Sequence, residues 1–94
     1  MNTVDLVRNA LKEQNPSLFN SLQHSGRLNE FLEERTDEIK TAVHNRQLEI
    51  AKAQGMAENT PPMERAVILK MADALAREEV FAEMLEFPQD ETSR

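Results

Sequence analysis

Two histidines, His24 and His44, carry the only imidazole groups of the 94-residue chain. Imidazole is the side chain best suited to metal binding and to proton transfer near neutral pH. Zinc and di-iron sites on helices need further ligands three or four positions away on the same face. Thr41 and Lys40 precede His44 by three and four positions, and Asn20 precedes His24 by four. We therefore expect no metal site and no cofactor.

Serine hydroxyls are the remaining candidate nucleophiles, because the chain has no cysteine. A catalytic serine needs a neighbouring base and a turn that exposes it, such as the G-x-S-x-G elbow. The serines are Ser17, Ser21, Ser25 and Ser93, and none lies in such a motif. Gly26 and Gly55 are far apart and are typical of helix ends, so there is no glycine-rich phosphate loop. The sequence predicts a protein that is not an enzyme.

The charge of the chain is acidic, with 17 Asp and Glu against 11 Lys and Arg and a net charge of -6. Acidic pairs such as Glu33-Glu34 and Asp37-Glu38 are typical of a solvated helix face. An acidic surface is repelled by phosphate backbones and by anionic membranes, which disfavours both as partners. The alternative left open is a nucleic-acid-associated regulator of a bacterial mobile element, contacting DNA near residues 25–35. A DNA-mimicking inhibitor is a variant of the same alternative.

Apolar residues recur at helical spacing in four segments, 2–14, 16–24, 27–54 and 61–86. Thr3, Asn15 and Thr60 are expected caps, and the two glycines end the second and third segments. The two long segments have similar lengths and a short connection, so they should pack as antiparallel neighbours. The sequence predicts an all-α fold, a long antiparallel helical hairpin plus one or two short N-terminal helices (a three- to four-helix bundle). We expect a single domain over 1–88 and a frayed tail over 89–94.

The fourth segment is apolar on two sides. Its main face consists of Met63, Val67, Met71, Ala74, Leu75, Phe81, Ala82 and Leu85. A second apolar line, about 180° away on the helix, consists of Leu69, Ala76, Val80 and Phe87. A helix with two apolar sides is either central in a fold or part of an interface. Either the first two helices cover this line, or it is the surface for a second copy or another protein, which we take as the predicted interface.

Three charged residues fall within the apolar stripes of the two long helices. Arg35 and Arg46 lie in the stripe of the third helix, and Glu78 lies in that of the fourth. In an antiparallel hairpin, Arg35 and Glu78 are at similar heights. We predict a structural ion pair between them, which would fix the register of the hairpin. The alternative is that Arg35 or Arg46 reaches a carboxylate or phosphate of a ligand.

The phrase Gly26-x-Leu28-x-x-Phe31-Leu32-x-x-Arg35, after Leu11-x-x-x-Asn15-Pro16, resembles small bacterial all-helical proteins of unknown function. The resemblance covers residues 6–85 and implies a bacterial or phage origin and an all-α fold. No apolar run approaches the roughly 20 residues of a membrane span, and the N-terminus lacks the apolar core of a signal peptide. We expect a cytoplasmic protein. We expect it to be a small acidic protein–protein interaction or dimerisation module, with no small-molecule substrate.

Overall fold

The structure is a computed structural model that describes residues 2–88. It contains four helices, α1 (Thr3–Gln14), α2 (Pro16–Ser25), α3 (Leu28–Ala53) and α4 (Pro62–Met84). No strand occurs in this part of the chain. The predicted all-α fold is therefore confirmed. The segment 89–94, which we expected to be a frayed tail, lies outside the described residues.

Short polar side chains begin the first two helices. The Asn2 side-chain oxygen accepts a hydrogen bond from the Asp5 N–H at 2.9 Å and caps α1, so the predicted cap Thr3 is instead the first helical residue. The Asn15 side-chain oxygen accepts from the Leu18 N–H at 3.1 Å and caps α2. Proline at the first position of α2 loses nothing, because its missing N–H would have had no partner within the helix.

Glycines with positive φ end α2 and α3, at 75° for Gly26 and 92° for Gly55. At the end of α3 the Met56 N–H donates to the Ala51 carbonyl and the Gly55 N–H donates to the Lys52 carbonyl, each at 3.0 Å. This pair of bonds is the Schellman motif, which satisfies two carbonyls that the last turn leaves without a helical partner. Glycine suits this left-handed position because it has no Cβ to clash.

The connection from α3 to α4 is held by its own polar groups. The Thr60 hydroxyl accepts from the Ala57 N–H at 2.8 Å, so Thr60 closes the loop rather than capping α4 as predicted. The Arg65 guanidinium donates to the Ala57 carbonyl at 2.8 Å and to the Glu58 carbonyl at 3.1 Å. These contacts fix the point at which the chain reverses.

The contacts of the chain divide between two compact units. The single domain over 1–88 stays a prediction. The first unit contains the described residues up to Glu38 and from Ala82 onward, and the second contains Ile39–Phe81. The buried apolar side chains of the first unit are Val7, Leu11, Phe19 and Leu32. Those of the second are Ile39, Val43, Ala51, Ala72, Ala76 and Val80. Each unit thus has its own core.

The second unit is an antiparallel pairing of α3 with α4. The Gln47 side-chain amide donates to the Leu69 carbonyl at 2.9 Å, and the Arg46 guanidinium contacts the Glu79 carboxylate at 3.4 Å. Both members of that ion pair are about half exposed, so it contributes little, about 0–1 kcal/mol. The order of the contacts along the two helices shows the predicted hairpin.

A side-chain amide ties the chain beyond α4 to the end of α1 in the first unit. The Gln14 side-chain nitrogen donates to the Leu85 carbonyl at 2.7 Å, and its oxygen accepts from the Phe87 N–H at 2.6 Å. The Asn15 side-chain nitrogen donates to the Pro88 carbonyl at 3.1 Å. Backbone N–H and C=O groups at the end of a helix have no partner within the helix, so they need other hydrogen-bond partners where water is excluded. We call these three bonds the Gln14 clamp.

Thr36 is the buried polar residue of the core, 3% exposed, and its hydroxyl has no hydrogen-bond partner in the described structure. We expect Thr36→Val to raise the free energy of unfolding by about 1 kcal/mol, because valine has nearly the same shape and buries no unpaired hydroxyl. Urea denaturation checks this. Thr41→Val, at an exposed position of the same helix, is the control and should stay within about 0.5 kcal/mol of wild type. A loss of stability in Thr36→Val would contradict the prediction.

Candidate interaction surface

The middle of the predicted second apolar line, Ala76 and Val80, is buried. Ala76 and Val80 are fully or nearly fully buried in the second unit, and Leu69 is half-buried there. In the first unit, the half-buried Phe87 ring lies 6.4 Å from the Phe31 ring. Ala76 and Val80 belong to the core of the second unit, so in the single chain they are not open to a partner. Leu69 and Phe87 keep part of their surface, and the interface predicted at Leu69, Ala76, Val80 and Phe87 stays a prediction for those two residues.

The opposite face of α4 carries the exposed apolar surface. Its large side chains are Met63 (84% exposed), Val67 (66%), Met71 (48%) and Leu75 (41%). We call these four the α4 ridge. They are spaced four residues apart, so they form one of the i±4 rows that pack between helices. Beside the row, an open hollow of about 310 Å³ is lined by Met63, Glu64, Val67 and Ile68.

The α4 ridge lies on a stretch of the chain without net charge. Residues 61–76 contain two acidic residues, Glu64 and Asp73, and two basic residues, Arg65 and Lys70. Two positive and two negative charges cancel, whereas the whole chain carries -6. The acidity of the protein is therefore located elsewhere. Another acidic molecule can approach the α4 ridge without meeting an excess of like charge.

The hydrogen bonds of the Arg35 guanidinium go to residues other than the predicted partner Glu78, and the ion pair between Arg35 and Glu78 stays a prediction. In the first unit, the Arg35 guanidinium donates to the Glu38 carboxylate at 3.2 Å and to the Met84 carbonyl at 3.1 Å. Its carbon lies 5.5 Å from the centre of the Phe87 ring, within range of a cation–π contact. Glu78 is exposed. Because both terminal nitrogens of Arg35 are engaged within the chain, the alternative of a ligand-binding Arg35 gains no support.

A cleft of about 300 Å³ in the first unit has an apolar floor and an acidic rim. It is lined by Leu18, Phe31, Glu34, Arg35, Glu38, Glu86, Phe87 and Pro88. The start of α3, which the nucleic-acid alternative places against DNA, also exposes Glu30 and Glu33. Carboxylates at these positions oppose a phosphate backbone.

The residues considered for chemistry are not brought together. His24 and His44 are exposed on different helices. Across residues 2–88, no three His, Asp or Glu side chains form a group that could hold a metal ion. Within the same residues, no helix is long and apolar enough to cross a membrane.

No family model, curated protein or solved structure matches the chain. The resemblance to small bacterial helical proteins thus stays a prediction from the sequence. The α4 ridge is the surface feature that requires a functional explanation.

Proposed function

We propose that the protein is a homodimerisation module and that two copies associate through the α4 ridge. The observation that carries the proposal is the contiguous row of large, exposed apolar side chains at Met63, Val67, Met71 and Leu75. Single exposed apolar residues are common on protein surfaces, but a contiguous row on a small chain is typical of an interaction site. The bacterial, cytoplasmic setting expected from the sequence is part of the same proposal.

A second copy suits the α4 ridge in shape. When two helices cross at about -50°, the i±4 row of each fits the groove beside the corresponding row of the other. Two identical rows meet these requirements in a two-fold dimer, in which the same patch is used by both subunits. Met63 and Met71 have flexible side chains that adapt to such a groove.

A second copy also suits the α4 ridge in charge. Two chains that each carry -6 repel one another through most of their surface. The neutral stretch 61–76 adds no net charge to this repulsion. The contact is small compared with the roughly 800 Å² per partner of a standard interface, so we expect a dissociation constant of about 1–100 µM.

Light scattering tests the proposal with Val67→Asp, which places a charge in the middle of the α4 ridge. We expect wild type to approach twice the chain mass of 10.8 kDa as its concentration rises to about 500 µM. Val67→Asp should stay at one chain mass with an unchanged helical circular dichroism spectrum, because Val67 takes no part in the core. The two proteins should differ in mass because burying the new carboxylate in the interface is unfavourable.

Ala66→Asp is the matched control, since it adds the same charge at an exposed position next to Val67 but off the α4 ridge. It should dimerise like wild type. A wild-type protein that remains monomeric at about 500 µM would overturn the proposal. So would an Ala66→Asp variant that loses association to the same extent as Val67→Asp, because net charge alone would then explain the effect.

A further inference from the structure

We infer that Met63 and Met71 are oxidation sites for peroxides and that their oxidation separates the dimer. The inference rests on the proposed homodimer, since it assigns a chemical control to the same surface. Half of the α4 ridge is methionine, and the other two members, Val67 and Leu75, are inert to mild oxidants.

The composition directs peroxide to methionine. The chain has no cysteine, so thioether sulfurs are its only sulfur nucleophiles. Met63 and Met71 are both exposed, whereas Met56 and Met84 are half-buried. Exposure decides which methionines react first. The most reactive sites of the described chain are therefore those on the α4 ridge.

The reaction changes the polarity of the contact. A lone pair on the thioether sulfur attacks one oxygen of hydrogen peroxide, the O–O bond breaks, and the products are one sulfoxide and one water. The sulfur is oxidised by two electrons and the peroxide is reduced by two. The sulfoxide oxygen is a strong hydrogen-bond acceptor, and Val67 and Leu75 offer no side-chain donor. Burying it between two copies is unfavourable, so oxidation favours the monomer.

Dimerisation should protect these two sites in return. In the dimer, each copy covers the α4 ridge of its partner, so association lowers the population of chains whose ridge is exposed. Peroxide then reaches Met63 and Met71 mainly through the free monomer. Their oxidation should slow as protein concentration rises. Met56 and Met84 lie off the ridge, so their oxidation should not depend on concentration.

The experiment exposes wild-type protein to hydrogen peroxide at about 5 µM and about 500 µM chain, a range over which the fraction of free monomer falls several-fold for the expected dissociation constant. Peptide mass spectrometry measures sulfoxide formation at each methionine, and light scattering measures the mass before and after treatment. We expect about fivefold slower oxidation of Met63 and Met71 at the higher concentration, with no change at Met56 and Met84. The oxidised protein should be a folded monomer, and reduction by a methionine sulfoxide reductase should restore the dimer.

The double variant Met63→Leu with Met71→Leu is the control, because leucine keeps the apolar row and cannot be oxidised. It should dimerise and remain a dimer after peroxide treatment. A wild-type dimer that persists with both sulfoxides formed would overturn the inference while leaving the homodimer in place. Dissociation of the double variant by peroxide would also overturn it. Untreated wild type that is monomeric at both concentrations would overturn the proposed function and, with it, this inference.

Discussion

Val80→Asp should lower the free energy of unfolding by about 4 kcal/mol or more. Val80 is 3% exposed in the second unit, between the fully buried Ala76 and the end of α4. An aspartate there either buries an unpaired charge or forces the helix away from its core, and each costs about 4 kcal/mol or more. Domains of this size have about 5–15 kcal/mol of stability in total. We expect the midpoint of urea denaturation, followed by helical circular dichroism, to fall to a much lower urea concentration than in wild type.

The control for Val80→Asp is Val67→Asp, the same chemical change on the same helix. Val67 faces solvent, so the monomer should lose at most about 1 kcal/mol. Urea denaturation at a fixed, low protein concentration keeps dimerisation from contributing to the comparison. If Val80→Asp stayed folded while Val67→Asp unfolded, the two faces of α4 would be assigned the wrong way round.

Leu11→Ala should lower the free energy of unfolding by about 3 kcal/mol. Leu11 is fully buried and is among the largest completely enclosed side chains of the protein. Truncation removes buried apolar surface and leaves a cavity that the surrounding helices fill only in part. The midpoint of urea denaturation should fall while its slope stays constant, because the surface exposed on unfolding changes little.

Leu11→Met serves as the control for this site, since it keeps the volume and the apolar character. It should cost less than about 1.5 kcal/mol. A loss of under 1 kcal/mol in Leu11→Ala would show that the first unit tolerates a cavity at Leu11, in conflict with its complete burial.

Helix limits were the part of the fold that the sequence could predict, because they depend on neighbouring residues. Asn15-Pro16 starts α2, and Gly26 and Gly55 end helices with the positive φ that the pattern indicated. Caps were less certain. Asn2 rather than Thr3 caps α1, since two adjacent polar residues offer similar oxygens and backbone geometry decides between them.

The inward face of α4 was predicted wrongly because the largest apolar side chains of the helix are not the ones that it buries. The larger residues, such as Met63 and Val67, made one side of the helix look more hydrophobic. The structure buries the side with Ala72 and Ala76, both completely enclosed, together with Ala51 on α3. Small side chains let two helix backbones approach closely, a gain that hydrophobicity alone does not measure. The neutral, exposed α4 ridge was consequently missed as a surface.

The partners that the structure gives Arg35 are a carboxylate one turn away on α3 and a backbone carbonyl, and the charge pattern predicted neither. Arg35 donates to the Met84 carbonyl, a backbone acceptor in the last turn of α4. Charge patterns identify carboxylates such as Glu78 but give no sign of which carbonyls a helix end leaves without partners. Such contacts depend on where the helix stops, which tertiary packing determines.

The Gln14 clamp affects the order in which the two units can complete their contacts. It joins residues 71 and 73 positions apart, so the first unit lacks these bonds until Leu85 to Pro88 have left the ribosome. The second unit is one continuous stretch, Ile39–Phe81, and all of its residues precede Leu85 along the chain. α1 and α2, although made first, therefore wait longest for their final partners. A released chain that ends before Leu85 contains the whole of the second unit, but its N-terminal segment lacks the Gln14 clamp.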